Sequence, residues 1–362
     1  MHIRSVFMLV AVSTAAVAQA NGILFETRPE NVPADYLATP SGWFHPSCVI
    51  ELGEEEKLDV NGNVVGRRDG LLRRSRSRCV YPRFDRYGRQ VLSNHPNPPP
   101  TVNGWLVAGA AFAGAMEFIS ANWIVPANPN NISGQILYFF PGLEPSPTYD
   151  EILQPVLGWN TIGSGPSWTI SSWNCCRNDG TAHSTLVPVG ARATLYGYVW
   201  GTNCSTDSGV CANWQVLTSI AGGAQTTFNT DAANEPLNWS LAAVYEAYNV
   251  DFCNQHSPSN SVTFSNVTVR NVGGTPVTPS WVENYYNPSP ACDVGFNSPS
   301  SSTATISWCA PNATCTPDTC EQTLPDGCGG TVTCPACHHC APGTIDCNGD
   351  GTFCVRPPAV CP

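Results

Sequence analysis

Val262-Thr263-Phe264-Ser265-Asn266-Val267-Thr268-Val269 alternates apolar, largely β-branched residues with small polar ones, the period-two signature of a strand with one buried and one wet face. Similar short runs recur at 118–125, 135–140, 152–159, 167–173, 193–200 and 213–220, each bounded by Gly, Pro, Asn or Ser clusters. Strands this short and this closely spaced predict an all-β fold, an antiparallel double-sheet sandwich or barrel over residues 101–297. The segment 237–248 has mixed periodicity, and a strand is expected there because of the acid it carries, Glu246.

Working outward, the N-terminus reads as a secretory signal over residues 1–20. Arg4 precedes an apolar stretch from Val6 to Val17 that ends in Ala18-Gln19-Ala20. That run is too short to span a bilayer, and no later segment is long enough to do so, so a secreted chain without a membrane span is expected. Export makes disulfides the default state of the 18 cysteines, eight of which lie between Cys48 and Cys292 and ten between Cys309 and Cys361. Both counts are even, so each part has enough thiols to close its own bridges.

Charge is scarce and unevenly placed. Charged residues make up 12% of the chain and the formal net charge is -11, which excludes nucleic acid as a natural partner. Ten of the sixteen Lys and Arg residues fall between Lys57 and Arg89, whereas beyond residue 90 four cations face seventeen carboxylates. A region so poor in cations has few ion pairs to lose when carboxylates protonate, which suits an acidic environment. Residues 21–100 read as a basic leader ending in a proline-rich stretch, Asn94 to Pro100. Its Arg73-Arg74-Ser75-Arg76-Ser77-Arg78 cluster is a processing site, a cationic arm that lies on the acidic domain, or a solvated loop.

At the other end, the serine-rich 298–308 stretch reads as a linker to a cysteine-rich module over 309–362. The module has little apolar content besides cysteine, so bridges must replace a core. Cys334-Pro-Ala-Cys337-His338-His339-Cys340 has zinc-ligand spacing, but in an exported chain disulfides are the stronger reading. Asp346-x-Asn348-x-Asp350-Gly351 opens like a calcium loop and then places Pro357 where a bidentate Glu is required, so a turn is expected. Neither metal nor cofactor is called for. The module's expected partner, if it has one, is cell wall or carbohydrate.

Chemistry has few places to sit. The sequence lacks a Gly-x-Ser-x-Gly elbow, a His-Glu-x-x-His helix and a phosphate loop, and its histidines are scattered. Catalysis therefore falls to carboxylates and amides in apolar strand context: Glu144, Gln154 and Glu246. Burial raises a carboxyl pKa toward the range useful for proton transfer, so such residues lie either on a wet strand face or in a partly dry cleft.

The order of short motifs resembles the secreted glutamic peptidases of the eqolisin type. Asn103-Gly104-Trp105, Trp123-Ile124-Val125-Pro126, Gly142-Leu143-Glu144, Ile152-Leu153-Gln154 and Val244-Tyr245-Glu246-Ala247-Tyr248 follow one another as the family's motifs do. The resemblance covers roughly residues 103–270. It implies a concanavalin-like double β-sheet sandwich with a Gln/Glu dyad. Glu246 would be the general base and Gln154 the amide that holds water and donates to the oxyanion. Glu144, where the family carries Asp, would be a supporting carboxyl. Extended polypeptide substrates would lie across one sheet, with Trp105, Trp159, Trp168 and Trp173 forming subsites. Two other readings stand beside this one: a non-catalytic sandwich that binds carbohydrate or protein, and a glycosidase using Glu144 and Glu246 as its carboxylate pair.

Overall fold

A computed structural model describes residues 28–91, 104–145, 151–176, 179–286, 288, 291–310 and four short strands of the tail, at 322–325, 331–333, 345–346 and 354–355. The signal-peptide reading, the proline-rich stretch and most of the cysteine-rich module, including its zinc-like and calcium-like motifs, lie outside the described residues. No helix among those described is long and apolar enough to cross a membrane.

The fold is all-β, as the alternation predicts. Two large sheets pack face to face, and each of the seven sequence-predicted runs forms a strand, as does Leu237–Tyr248. One sheet runs in the order Val282–Tyr285, Trp105–Phe112, Leu237–Tyr248, Ile136–Pro145, Ile152–Trp159, Trp168–Cys175, Thr181–Ser184, Val49–Leu52. The other is centred on Ser261–Asn271, Met116–Ile124, Thr194–Cys204, Cys211–Ile220 and Gln225–Thr230. The opening octapeptide lies in Ser261–Asn271 and turns Val262 and Phe264 inward, then Val267 and Val269. The phase slips by one residue because Asn266 takes a left-handed φ of 52°, the conformation that lets a bulge absorb an extra residue.

Large aromatics fill the space between the sheets. Phe139 stacks on Tyr245 with ring centroids 4.4 Å apart, Trp159 meets Trp168 edge-on at 5.2 Å, and Trp123 tilts against Phe264 at 5.4 Å. Some polar groups that reach this interior are paired, as the Ser172 hydroxyl is, 3.0 Å from that of Thr218 across the sandwich, while the indole N–H groups of Trp123, Trp159 and Trp168 are buried without a hydrogen-bond partner among the described residues. His256 is also inside, against the Tyr245 hydroxyl, and burial pushes its pKa down to about 3, so it is neutral.

Two segments differ from expectation. The 298–308 stretch, expected as a linker, supplies strands to the second sheet: Gly295–Ser300 and Thr303–Ser307 form a hairpin beside Ser261–Asn271. Ala304, Ile306 and Trp308 alternate inward, and this buried face outweighs the serine-rich composition. The segment expected as a separate leader joins both sheets. Val49–Leu52 pairs in parallel with Thr181–Ser184, and Glu56–Leu58 adds beside Gln225–Thr230. A further small sheet, Leu37–Thr39, Gly42–Phe44, Arg83–Phe84 and Gln90–Val91, caps the outer face of the first large sheet.

All eight cysteines between Cys48 and Cys292 pair among themselves, as Cys48–Cys79, Cys175–Cys176, Cys204–Cys211 and Cys253–Cys292. The first bridge lies wholly within the leader.

Candidate active site

The three adjacent strands Leu237–Tyr248, Ile136–Pro145 and Ile152–Trp159 carry every acid or amide singled out in the sequence. Period-two alternation decides which side each one faces. On Ile152–Trp159, Leu153 and Leu157 turn into the inter-sheet core, so Gln154 and Val156 turn outward. On Leu237–Tyr248, Tyr245 and Ala247 turn inward and Glu246 and Tyr248 outward. Leu143 turns inward and Glu144 outward. Gln154, Glu144 and Glu246 therefore share one face of one sheet.

That face is not open. Gln154 and Glu246 are fully buried and Glu144 nearly so, because the leader's small sheet covers them. Val32, Tyr36, Ala38, Trp43, Phe44 and Phe84 of the leader pack with the floor residues Trp105, Tyr138, Phe140, Trp173 and Tyr248. Two leader carbonyls are held by floor side chains. The Gln154 amide donates its Nε2–H to the Pro40 carbonyl at 3.0 Å, and the Tyr138 hydroxyl donates to the Ala38 carbonyl at 3.0 Å.

The register separates the proposed dyad. Glu246 is level with Tyr138, which is level with Gly158, four residues beyond Gln154. The spacing is about 13 Å along the strands and about 10 Å across them, more than one water spans. The carboxyl nearest Gln154 is that of Glu144. Gly142 lies directly opposite Gln154 on the neighbouring strand, with its Cβ position 3.5 Å from the Gln154 Cβ. Glu144 is two residues on, a diagonal neighbour at roughly 7–8 Å. Glu144 Oε2 and Gln154 Oε1 are buried and make no hydrogen bond among the described residues. Burial, with no hydrogen bond to Oε2, pushes the Glu144 carboxyl well above its ordinary pKa.

Glu246 belongs to a second polar cluster. The Tyr248 hydroxyl donates to its Oε1, and the Tyr138 ring packs edge-on against that of Tyr248, 6.4 Å away. Burial pushes the Glu246 pKa up to about 8, opposed by the Tyr248 hydrogen bond and by the positive charge of Arg86. Gly104 admits this cluster, since a Cβ there would stand 2.3 Å from the Tyr248 hydroxyl oxygen.

The four expected subsite tryptophans divide between the faces. Trp105 and Trp173 belong to the covered floor. Trp159 and Trp168 face the other way, paired in the inter-sheet core, because they fall an odd number of residues from Gln154 and its cross-strand partner Trp173; they line no subsite. Two floor residues, Tyr138 and Tyr248, were not singled out. The available signal was parity: Tyr248 is two residues after Glu246, and Tyr138 precedes Glu144 by six. The glycosidase reading loses its geometry, for Glu144 and Glu246 lie about six residues, or roughly 20 Å, apart along neighbouring strands. No cluster of metal-ligating side chains occurs among the described residues.

No protein-family model matches the sequence, and no curated protein matches it. Among solved structures, the chain is similar to scytalido-glutamic peptidase bound to a transition-state analog inhibitor. That match has a TM-score of 0.42 and 14% identity, covering 57% of this chain and all of the other. It is also similar to SCP-B, a member of the eqolisin family of peptidases in complex with the tripeptide Ala-Ile-His, at a TM-score of 0.37, 14% identity and the same coverage. A weaker similarity, with a TM-score of 0.19 and 10% identity over 43% of this chain and 68% of the other, is to the CBM2 module of Lactobacillus casei BL23 phage J-1 evolved Dit. At these values none of them fixes a function for this chain.

Proposed function

We propose that this protein is a secreted, acid-acting endopeptidase whose substrate site is the face now covered by its leader. The observation that carries the reading is the pair of peptide carbonyls taken up by floor side chains, above all the Pro40 carbonyl on the Gln154 amide. An amide N–H aimed at a peptide carbonyl is the arrangement that stabilises the oxyanion when that carbonyl is attacked.

In this reading water attacks the carbonyl carbon and gives its proton to a nearby carboxylate, while the charge that develops on oxygen is held by the Gln154 N–H. The carboxyl then passes the proton to the departing nitrogen as the C–N bond breaks. Glu144 is best placed for that carboxyl role, being one strand away from Gln154, whereas Glu246 is two strands away. Its raised pKa belongs to the covered state, and water entering with substrate lowers it toward the range where it ionises in mild acid. Glu246, held by Tyr248 and beside Tyr138, lines the same floor farther along.

The test is cleavage of denatured casein from pH 2 to 7 by the protein and by Glu144→Gln and Glu246→Gln. The reading predicts an acid optimum, loss of cleavage with Glu144→Gln and retention with Glu246→Gln. Cleavage lost only with Glu246→Gln returns the carboxyl role to Glu246 and overturns the assignment to Glu144. An absence of cleavage at every pH overturns the peptidase reading.

A further inference from the structure

The hairpin formed by Leu37–Thr39 and Gly42–Phe44 is the part of the leader that touches the floor's polar groups. Elsewhere the leader attaches as ordinary sheet does, through backbone ladders at Val49–Leu52 and Glu56–Leu58. The hairpin, by contrast, forms no ladder with the floor strands. It offers the Ala38 carbonyl to Tyr138 and, two residues on, the Pro40 carbonyl to Gln154.

The remaining polar groups of its tip are satisfied within it. The Thr39 hydroxyl donates to the Gly42 carbonyl at 3.1 Å, and the Ser41 N–H to the Thr39 carbonyl at 2.6 Å. The contacts that the tip makes with the floor's polar side chains run through its carbonyls, so a proline, which has no N–H, is accommodated at position 40. The residues entering the cleft are small, Ala38-Thr39-Pro40-Ser41-Gly42, and are followed by Trp43, whose ring meets Tyr248 edge-on at 5.5 Å. Two side-chain donors reading carbonyls two residues apart, with an aromatic wall beyond, make a polypeptide-binding site rather than a packing interface.

We propose that the Leu37–Phe44 hairpin occupies the cleft as a built-in stand-in for substrate, and that Tyr138 is the second carbonyl-holding residue beside Gln154. The inference rests on the reading of this face as a polypeptide site and extends it to the class of segment accepted: small residues or proline at the two carbonyl positions, with an aromatic residue shortly after. The hairpin must leave before any other chain enters.

Gly42 supplies a way to displace the tip without touching the floor. Its φ is +123°, and a Cβ there would stand 2.6 Å from the carbonyl oxygen of Phe84 on the neighbouring strand of the same small sheet, so Gly42→Ala is expected to strain the hairpin and loosen its seat. The probe is a fluorescently labelled Ala-Thr-Pro-Ser-Gly-Trp-Phe peptide, added to the full chain at pH 7 and followed by anisotropy. The native chain should bind it at least tenfold more weakly than Gly42→Ala. Adding Tyr138→Phe to Gly42→Ala should weaken binding about fivefold to tenfold, the worth of one neutral hydrogen bond. Should Gly42→Ala not fold, hydrogen exchange in the otherwise native chain serves: Tyr138→Phe should speed exchange of the amides of residues 38–44 and leave those of 261–271 unchanged.

Equal peptide binding by the native chain and Gly42→Ala, or exchange at 38–44 that ignores Tyr138→Phe, overturns the proposal. Peptide binding without casein cleavage at any pH sinks the peptidase reading and leaves the hairpin's role standing. Casein cleavage by a chain that never binds this peptide does the reverse.

Discussion

The two faces of the first large sheet are about equally buried, yet they are built differently. The inner face packs Phe139, Leu143, Leu153, Leu157, Trp159, Trp168 and Tyr245 against the second sheet. The outer face carries Glu144, Gln154 and Glu246, with Tyr138 and Tyr248 among them, beneath a leader that covers them. Burial alone therefore does not mark a core. Both sides leave buried polar atoms unpaired among the described residues, but of different kinds: the indole N–H groups of Trp123, Trp159 and Trp168 between the sheets, and one carboxyl or amide oxygen each of Glu144, Gln154 and Glu246 on the outer face.

Four substitutions set the two faces and the leader's attachment against one another. The largest effect is expected inside: Trp168→Ala should cost about 3–5 kcal/mol in chemical denaturation, since the ring is buried against Trp159 and Phe139. A loss below about 1 kcal/mol would mean the inner face is not the structural one.

Next comes the pH dependence of the outer face. Glu246 keeps its proton in the folded chain up to about pH 8, whereas the unfolded chain releases it near 4.5. Folded protein thus binds more protons over that interval, and the carboxyl makes stability fall as pH climbs from 4.5 to 8. Below 4.5 both states are protonated and the penalty is absent. Glu246→Gln should flatten the curve of melting temperature against pH across that window, with a gain of a few kcal/mol at pH 8 and little change at pH 4. A slope that survives the substitution would place the titration elsewhere.

Smaller again is the attachment of the leader. Lys57 pairs with Asp231 at 2.5 Å, both partly shielded, and Arg78 pairs with Asp179. Lys57→Ala should cost about 1 kcal/mol or less. The loss should be read as faster exchange in residues 49–66, with the inner face unaffected. The smallest effect is Trp200→Ala. Its side chain is 45% exposed on the second sheet, so stability should stay within about 0.5 kcal/mol.

Much of this was legible in the sequence. Period-two patterning located the strands, and even the slip at Asn266 is visible as inward residues that step from 262 and 264 to 267 and 269. The polar residues Glu144, Gln154 and Glu246 stood out because acids and amides are rare in such apolar runs, and parity places them on one face. What the chain order does not contain is register across three strands. Short motifs in the right sequence say nothing of which residues stand opposite one another, and the pairing of Glu246 with Tyr138 and of Leu143 with Leu153, with a one-residue bulge at 241–243 between, is what sets Glu246 away from Gln154. Composition misled at 298–308, where three inward apolar side chains override a serine-rich tract. The leader's place was invisible for a different reason. Its basic cluster leaves open a processing site, an arm lying on the acidic domain and a solvated loop, and nothing in the chain order shows that Arg76 is partly buried against the Cys48 carbonyl, under the influence of the Glu151 charge.

The most direct measurement is the rate of casein cleavage at pH 3 by the acid-treated full chain and by Gln154→Ala. If the covered face is a peptide-hydrolysing site with Gln154 at the oxyanion, the substitution should slow cleavage by about 100-fold or more. Cleavage at an undiminished rate in Gln154→Ala would contradict the account.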